Sequence, residues 1–266
     1  MADCTTSNKN KFTLHENSFI DDATRIWRAI RYEQRLDFNL EANTLRLLKR
    51  DASRLNTISG DRIRRELELV LKEAMPEKVL NRADKLGALS KLHPRLKGNG
   101  WLAKRFQAAR QFNQPESTSM ASYLTLLTYP LTASEIENLI SYLHLPKPLA
   151  QTLRDSASLK SKLKLLAKPD LRPSRVHELL HGYSTTAIAA NSLATDSPVV
   201  HQHIQLFLTR LRYVKPATTG EDLKKLGVPA GPRIKEILQK LLEARLDRRI
   251  KSKKEEEELV ETKFDY

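Results

Sequence analysis

Cysteine is nearly absent. Cys4 stands alone in 266 residues, which excludes an internal disulfide and any cysteine-rich zinc site. No run of about 18 apolar residues occurs, and the first 20 residues hold no apolar signal core, so neither a membrane span nor a secretory signal is supported and the expected location is cytoplasmic. Only 8 glycines are present, and alternating apolar and polar stretches suited to strands are nearly missing. Acidic side chains are the minority, 32 against 46 Lys and Arg, which leaves a formal charge of +14. If that excess gathers on one face it suits a polyanion, with an anionic membrane surface as the competing partner.

The sequence does carry helical periodicity. Apolar residues recur at three- and four-residue spacing, as in Ile26 and Ile30, then Leu45 and Leu48. The pattern predicts an all-α fold built as an elongated chain of helical modules. Residues 1–17 are polar and poorly patterned and read as a disordered leader. Asp21 to Leu36 reads as one helix with an acidic start and an arginine-rich remainder. Further helices are expected near 41–55, 60–73 and 76–87. The turn-rich stretch Leu92 to Gly100, with His93, Pro94, Gly98 and Gly100, marks a module boundary. A first module would then span 18–98. A helical body over 99–195 follows, with helices near 101–113, 119–128, 132–143, 147–166, 173–181 and 184–194. Thr132 and Glu135 form a capping-box pair. A tail over 196–266 opens at Asp196-Ser-Pro and ends in a final pair of helices. The mixed charge run Lys251 to Glu258 reads as a solvated helix face.

Three constellations carry possible chemistry. In Asp21-Asp22-Ala23-Thr24-Arg25 and Ile26-Trp27-Arg28, helical spacing sets Asp22 beside Arg25 and Arg25 beside Arg28. An Asp that accepts and an Arg that donates in a plane can read the Watson–Crick edge of a base. The simpler reading of that spacing is an acidic cap with a surface ion pair. In Leu223-Lys-Lys-Leu-Gly-Val-Pro-Ala-Gly-Pro-Arg-Ile-Lys, a helix ends at Gly227 and Pro232 opens the next. Free amides there, with Arg233 and Lys235, can hold a phosphate, although an ordinary helical hairpin explains the pattern as well. His177-Glu178-Leu179-Leu180-His181 satisfies a zinc-hydrolase pattern, yet Ser184 and Ala187 stand where the extended motif wants Gly and His. No glutamate lies between Glu178 and Glu221, so no metal site is expected and a zinc hydrolase is a remote alternative. Trp101 with Lys104, Arg105 and Arg110 marks a basic amphipathic helix that can touch RNA backbone or simply be anchored by the tryptophan.

The stretch Ser18-Phe-Ile-Asp-Asp-Ala-Thr-Arg-Ile-Trp-Arg-Ala-Ile-Arg-Tyr-Glu-Gln-Arg-Leu-Asp-Phe resembles the nucleotide-selecting neck helix of the bacterial, class II, CCA-adding tRNA nucleotidyltransferases and poly(A) polymerases. Ile58-Ser-Gly-Asp-Arg-Ile-Arg-Arg-Glu-Leu is similar to the next neck motif, and Leu223 to Asp247 resembles the tRNA-contacting tail. The resemblance implies that Asp22 and Arg25 read the base of CTP or ATP, while Asp21, Arg28, Asp61, Arg62 and Glu66 support them. It also implies tRNA as partner. Asp21 and Asp61 stand where the family usually has glutamate, and Asp37 and Arg248 where it usually has glycine.

Nucleotidyl transfer in that family needs paired carboxylates holding two Mg2+ ions. No Asp-x-Asp occurs in this chain. The expectation is therefore the tRNA-binding, nucleotide-selecting portion of a 3′-end nucleotidyltransferase without the catalytic head, inactive alone. CTP or ATP and Mg2+ would belong to a complete enzyme whose head is either a separate chain or lost by truncation, and this chain would carry no cofactor of its own. The alternative is a stand-alone structured-RNA-binding or scaffold protein.

Overall fold

A computed structural model describes residues 11–111 and 119–263. Among these residues it contains fifteen α-helices and one pair of two-residue strands. The all-α expectation holds. The helices group into two compact units, residues 1–160 with 184–194, and residues 161–183 with 195–266.

The first unit begins with strand β1 (Lys11–Phe12), which pairs in parallel with β2 (Asn39–Leu40). Leu14 is buried, and its N–H donates to Thr44 Oγ1 at 3.1 Å. The end of the expected leader is thus ordered, because one apolar residue reaches the core; residues 1–10 lie outside the described residues. Helices α1 (Ser18–Asp21), α2 (Arg25–Arg35), α3 (Ala42–Asp51), α4 (Gly60–Leu71) and α5 (Pro76–Lys85) follow. They enclose Phe19, Ile26, Trp27, Ile30, Leu47, Ile63 and Leu80, each essentially inaccessible to solvent.

Helices α6 (Gly100–Gln111), α7 (Met120–Thr128) and α8 (Ala133–Tyr142) belong to the same unit, with the first part of α9 (Lys147–Leu166) and α11 (Thr185–Ala194). One continuous apolar core runs from Leu14 to Leu193. The expected boundary at 98/99 is therefore a turn and not a break in packing. A Cβ on Gly98 would lie 2.2 Å from Leu80 O, so only glycine lets that turn press on α5. Its N–H and carbonyl are also bound, to Asp84 Oδ2 at 3.1 Å and Asn81 Nδ2 at 2.5 Å. Gly60 makes the equivalent close approach to Tyr142 at the start of α4.

The second unit contains the end of α9, α10 (Pro173–Leu180), α12 (Pro198–Thr209), α13 (Gly220–Lys225), α14 (Pro232–Leu246) and α15 (Lys253–Lys263). The expected final pair of helices is a set of three, gathered on Leu223, Val228, Ile237, Leu241, Ala244, Ile250 and Val260. The expected solvated face over 251–258 is corrected at Glu256, which is fully buried and accepts from Ala217 N at 3.0 Å, Thr218 N at 2.6 Å and the Arg245 guanidinium.

Candidate nucleotide and RNA interface

Asp21 to Leu36 does not form one helix. The chain leaves α1 at Asp22, whose backbone is extended at φ −150° and ψ 99°, and re-enters helix at Arg25. Asp22 stops the first helix because its own carboxylate offers the chain a local alternative. Oδ1 accepts from Thr24 N at 3.0 Å and Thr24 Oγ1 at 2.7 Å, covering a free amide at the start of α2.

The break re-aims the charged residues. Asp22 Oδ1 takes a third hydrogen bond from Arg62 Nη2 at 2.7 Å, while Oδ2 has only Arg28 Nη1 at 3.9 Å. Oδ2 therefore accepts no hydrogen bond among the described residues. Burial alone would raise the Asp22 carboxyl; the two Thr24 bonds and the Arg62 and Arg28 charges outweigh it and hold the group below the ordinary carboxylate value. Arg25 turns away from Asp22, and its Nη1 donates to Ser18 O at 3.1 Å and Ser18 Oγ at 2.9 Å. The direct pairing expected from helical spacing is absent for that reason. Nε and Nη2 of Arg25 have no partner among the described residues.

The supporting residues divide. Arg28 Nε donates to Glu66 Oε1 at 2.7 Å, and that bond, despite partial burial, raises the guanidinium above its usual value. Glu66 is buried, and its Oε2 has no partner among the described residues. Arg62 and Glu66 thus join α4 to the start of α2. Asp61 does not: it meets His144 Nδ1 at 2.9 Å and Arg64 Nη2 at 3.1 Å, and the His144 contact lowers its carboxyl. It ties α4 to the turn after α8. The Asp21 side chain is exposed. Asp37 and Arg248 have φ of 52° and 59°, so both keep the left-handed turn for which the family resemblance expects glycine, at a cost of about 1 kcal/mol each.

The candidate RNA contacts also separate. Lys104, Arg233 and Lys235 are exposed. Arg105 packs over the Trp101 ring at 5.5 Å. Arg110 is held in a two-pronged pair with Glu77, one prong at 3.1 Å, and is not presented to solvent as a free cation. Sequence patterning missed an open groove of about 490 Å³ lined by Gln34, Asn39, Lys78, Asn81, Arg82 and Lys85. Its walls come from α2, β2 and the sequence-distant α5, and they include the Glu33 carboxylate, which pairs with Arg82 at 2.7 Å. The zinc pattern is corrected as well. α10 ends at Leu180, so His181 lies beyond it in extended backbone, and its ring stacks on His177 at 4.7 Å. Among the described residues no three His, Cys, Asp or Glu side chains gather to hold a metal ion.

Residues 37–98 match the family described as the probable RNA and SrmB-binding site of polymerase A. An A-adding tRNA nucleotidyltransferase of Geobacter sulfurreducens is 30% identical over 250 residues, 88% of this chain and 28% of that protein. A CCA-adding enzyme solved with CTP superposes with a TM-score of 0.77 at 26% identity, over 97% of this chain and 64% of the other. The chain resembles the helical neck, body and tail of the class II tRNA nucleotidyltransferases. The Thermotoga maritima CCA-adding enzyme, complexed with tRNA-CCA, gives a TM-score of 0.78 at 26% identity, over 96% of this chain and 65% of that one. This chain thus spans between about a quarter and two thirds of the length of these tRNA nucleotidyltransferases. Among the described residues no helix is long and apolar enough to cross a membrane.

Proposed function

We propose that this chain selects the incoming nucleotide and holds tRNA for a tRNA 3′-end nucleotidyltransferase. The observation that carries the reading is the state of the two neck residues. Among the described residues, Asp22 is anchored by hydrogen bonds through one oxygen while the other accepts none and faces only Arg28 at 3.9 Å, and Arg25 is anchored through one nitrogen with two donor nitrogens unpartnered. Oδ2 accepts from the exocyclic amine of cytosine or adenine, and Arg25 donates to the adjacent ring nitrogen. Uracil and guanine present a carbonyl and an N–H at the corresponding positions, so both would face the wrong partner. Arg62 of α4 holds Asp22 directly, and Glu66 of α4 holds Arg28 of α2 beside it.

Exposed Lys104, Arg233 and Lys235 and the groove beside Lys78 and Lys85 follow RNA phosphates. Contacts of this kind position the RNA without reading its sequence. The paired metal-binding carboxylates would come from a catalytic head, and no step assigned to these residues runs through Mg2+. A tRNA substrate suits the cytoplasmic location expected from the sequence.

The test is primer extension on a tRNA lacking its 3′ CCA, with CTP, ATP and Mg2+, using this chain alone and with a separately supplied catalytic domain. Extension only with the added domain is expected. Extension by the chain alone would contradict the division of labour. No extension in either case would favour a stand-alone structured-RNA-binding protein.

A further inference from the structure

Ser18 is not among the residues assigned to base reading, yet both base readers meet on it. Its carbonyl accepts the Asp22 N–H at 3.3 Å and Arg25 Nη1 at 3.1 Å, and its hydroxyl takes the same Nη1 at 2.9 Å. Ser18 is itself fixed, 4% exposed, with its N–H on His15 O at 3.0 Å. A guanidinium is a planar fork on a flexible stem, so pinning one nitrogen at two acceptors sets the direction of the other donors. Those donors, Nε and Nη2, are the ones left without a partner among the described residues.

We infer that Ser18 is a positioning residue that aims Arg25 at the base, and that its hydroxyl favours cytosine over adenine. The inference rests on the base-reading assignment of Asp22 and Arg25. Cytosine offers two acceptors beside its amine, N3 and O2, and adenine offers one, N1. A fixed Arg25 meets cytosine with two parallel hydrogen bonds and adenine with one. Two bonds demand orientation of the whole fork, whereas a single bond tolerates rotation about its own axis. Loss of the hydroxyl therefore weakens the cytosine contact more.

The experiment is calorimetric titration of the 266-residue chain with CTP, ATP and UTP, on wild type, Ser18→Ala, Ser18→Thr and Arg25→Ala. Ser18→Ala is expected to weaken CTP about tenfold, the order of one lost charge-assisted hydrogen bond, and ATP about threefold. Ser18→Thr keeps the hydroxyl and the wild-type CTP-to-ATP ratio. The Arg25 Nε–Hε NMR resonance is expected to move in Ser18→Ala before nucleotide is added, which a purely structural role would not cause once thermal melting shows an intact fold. If Ser18→Ala does not fold, Ser18→Cys, near-isosteric with a weaker acceptor, carries the same expectation. An unchanged CTP-to-ATP ratio in Ser18→Ala, with CTP binding lost in Arg25→Ala, would overturn the inference and leave the base-reading assignment standing. Unchanged binding in Arg25→Ala would overturn the assignment itself.

Discussion

Asp22 and Glu256 are carboxylates built from the same local chemistry in the two units. Each accepts backbone N–H at a turn, one at Asp22 and two at Glu256, and each takes an arginine. They differ in saturation. Glu256 is fully buried, and both of its oxygens are engaged. Asp22 places all three of its hydrogen bonds on Oδ1, and its side chain stays 20% exposed. A saturated, dry carboxylate is spent on holding its own fold together. One with an anchored oxygen and a free one is set to accept from something else. The same comparison separates Arg25, with two nitrogens unpartnered among the described residues, from Arg110, whose fork is occupied by Glu77.

The largest effect expected from this contrast is at Glu256. Glu256→Ala strands two amides and Arg245 in a dry site, and chemical denaturation should show a loss of about 3 kcal/mol in the second unit with CTP binding unchanged. At Asp22 the balance reverses. Asp22→Ala removes a helix cap and should cost about 1 kcal/mol while abolishing discrimination of CTP from UTP in titrations. A carboxylate lowered below its ordinary value keeps its charge until acid reaches that lowered value, so CTP binding should be flat from about pH 8 to pH 5. A fall in binding across that window would point to another group.

His177 sharpens the contrast from the other side. Burial and the neighbouring His181 lower its basicity, so the unfolded chain takes the proton first. The stability it contributes is complete above about pH 6.5 and is lost as pH falls from there towards the lowered folded value. Melting of His177→Phe between pH 7 and pH 5 should lack that decline. The smallest effects are at the left-handed positions, where Asp37→Gly and Arg248→Gly should each raise stability by about 1 kcal/mol in denaturant titrations.

Helix positions were largely legible because apolar spacing and capping residues specify them locally; 147–166 and the Thr132 capping box are seen as expected. The break at Asp22 was not read, since neither Gly nor Pro marks it. The available signal was Asp followed two residues later by Thr, a pair able to form a side-chain turn. Long-range partners were beyond spacing arguments: Arg62 reaches Asp22 across 40 residues, and His144 reaches Asp61 across 83. Helical spacing gives Ser18 no role, because it sets Arg25 beside Asp22 and not on a residue one turn further back. Glu256 was hidden within four consecutive glutamates, although it precedes the buried Val260 by one helical turn.

The central claim is that the neck reads a base through the free oxygen of Asp22 and the free donors of Arg25. The most direct measurement is the affinity of the intact chain for CTP and UTP, compared with Asp22→Asn. A preference for CTP of at least about tenfold, lost in Asp22→Asn, is the expected result, since a mismatched polar edge leaves buried groups unpaired. Equal affinities in the unmodified chain, or a preference that survives Asp22→Asn, would contradict the account.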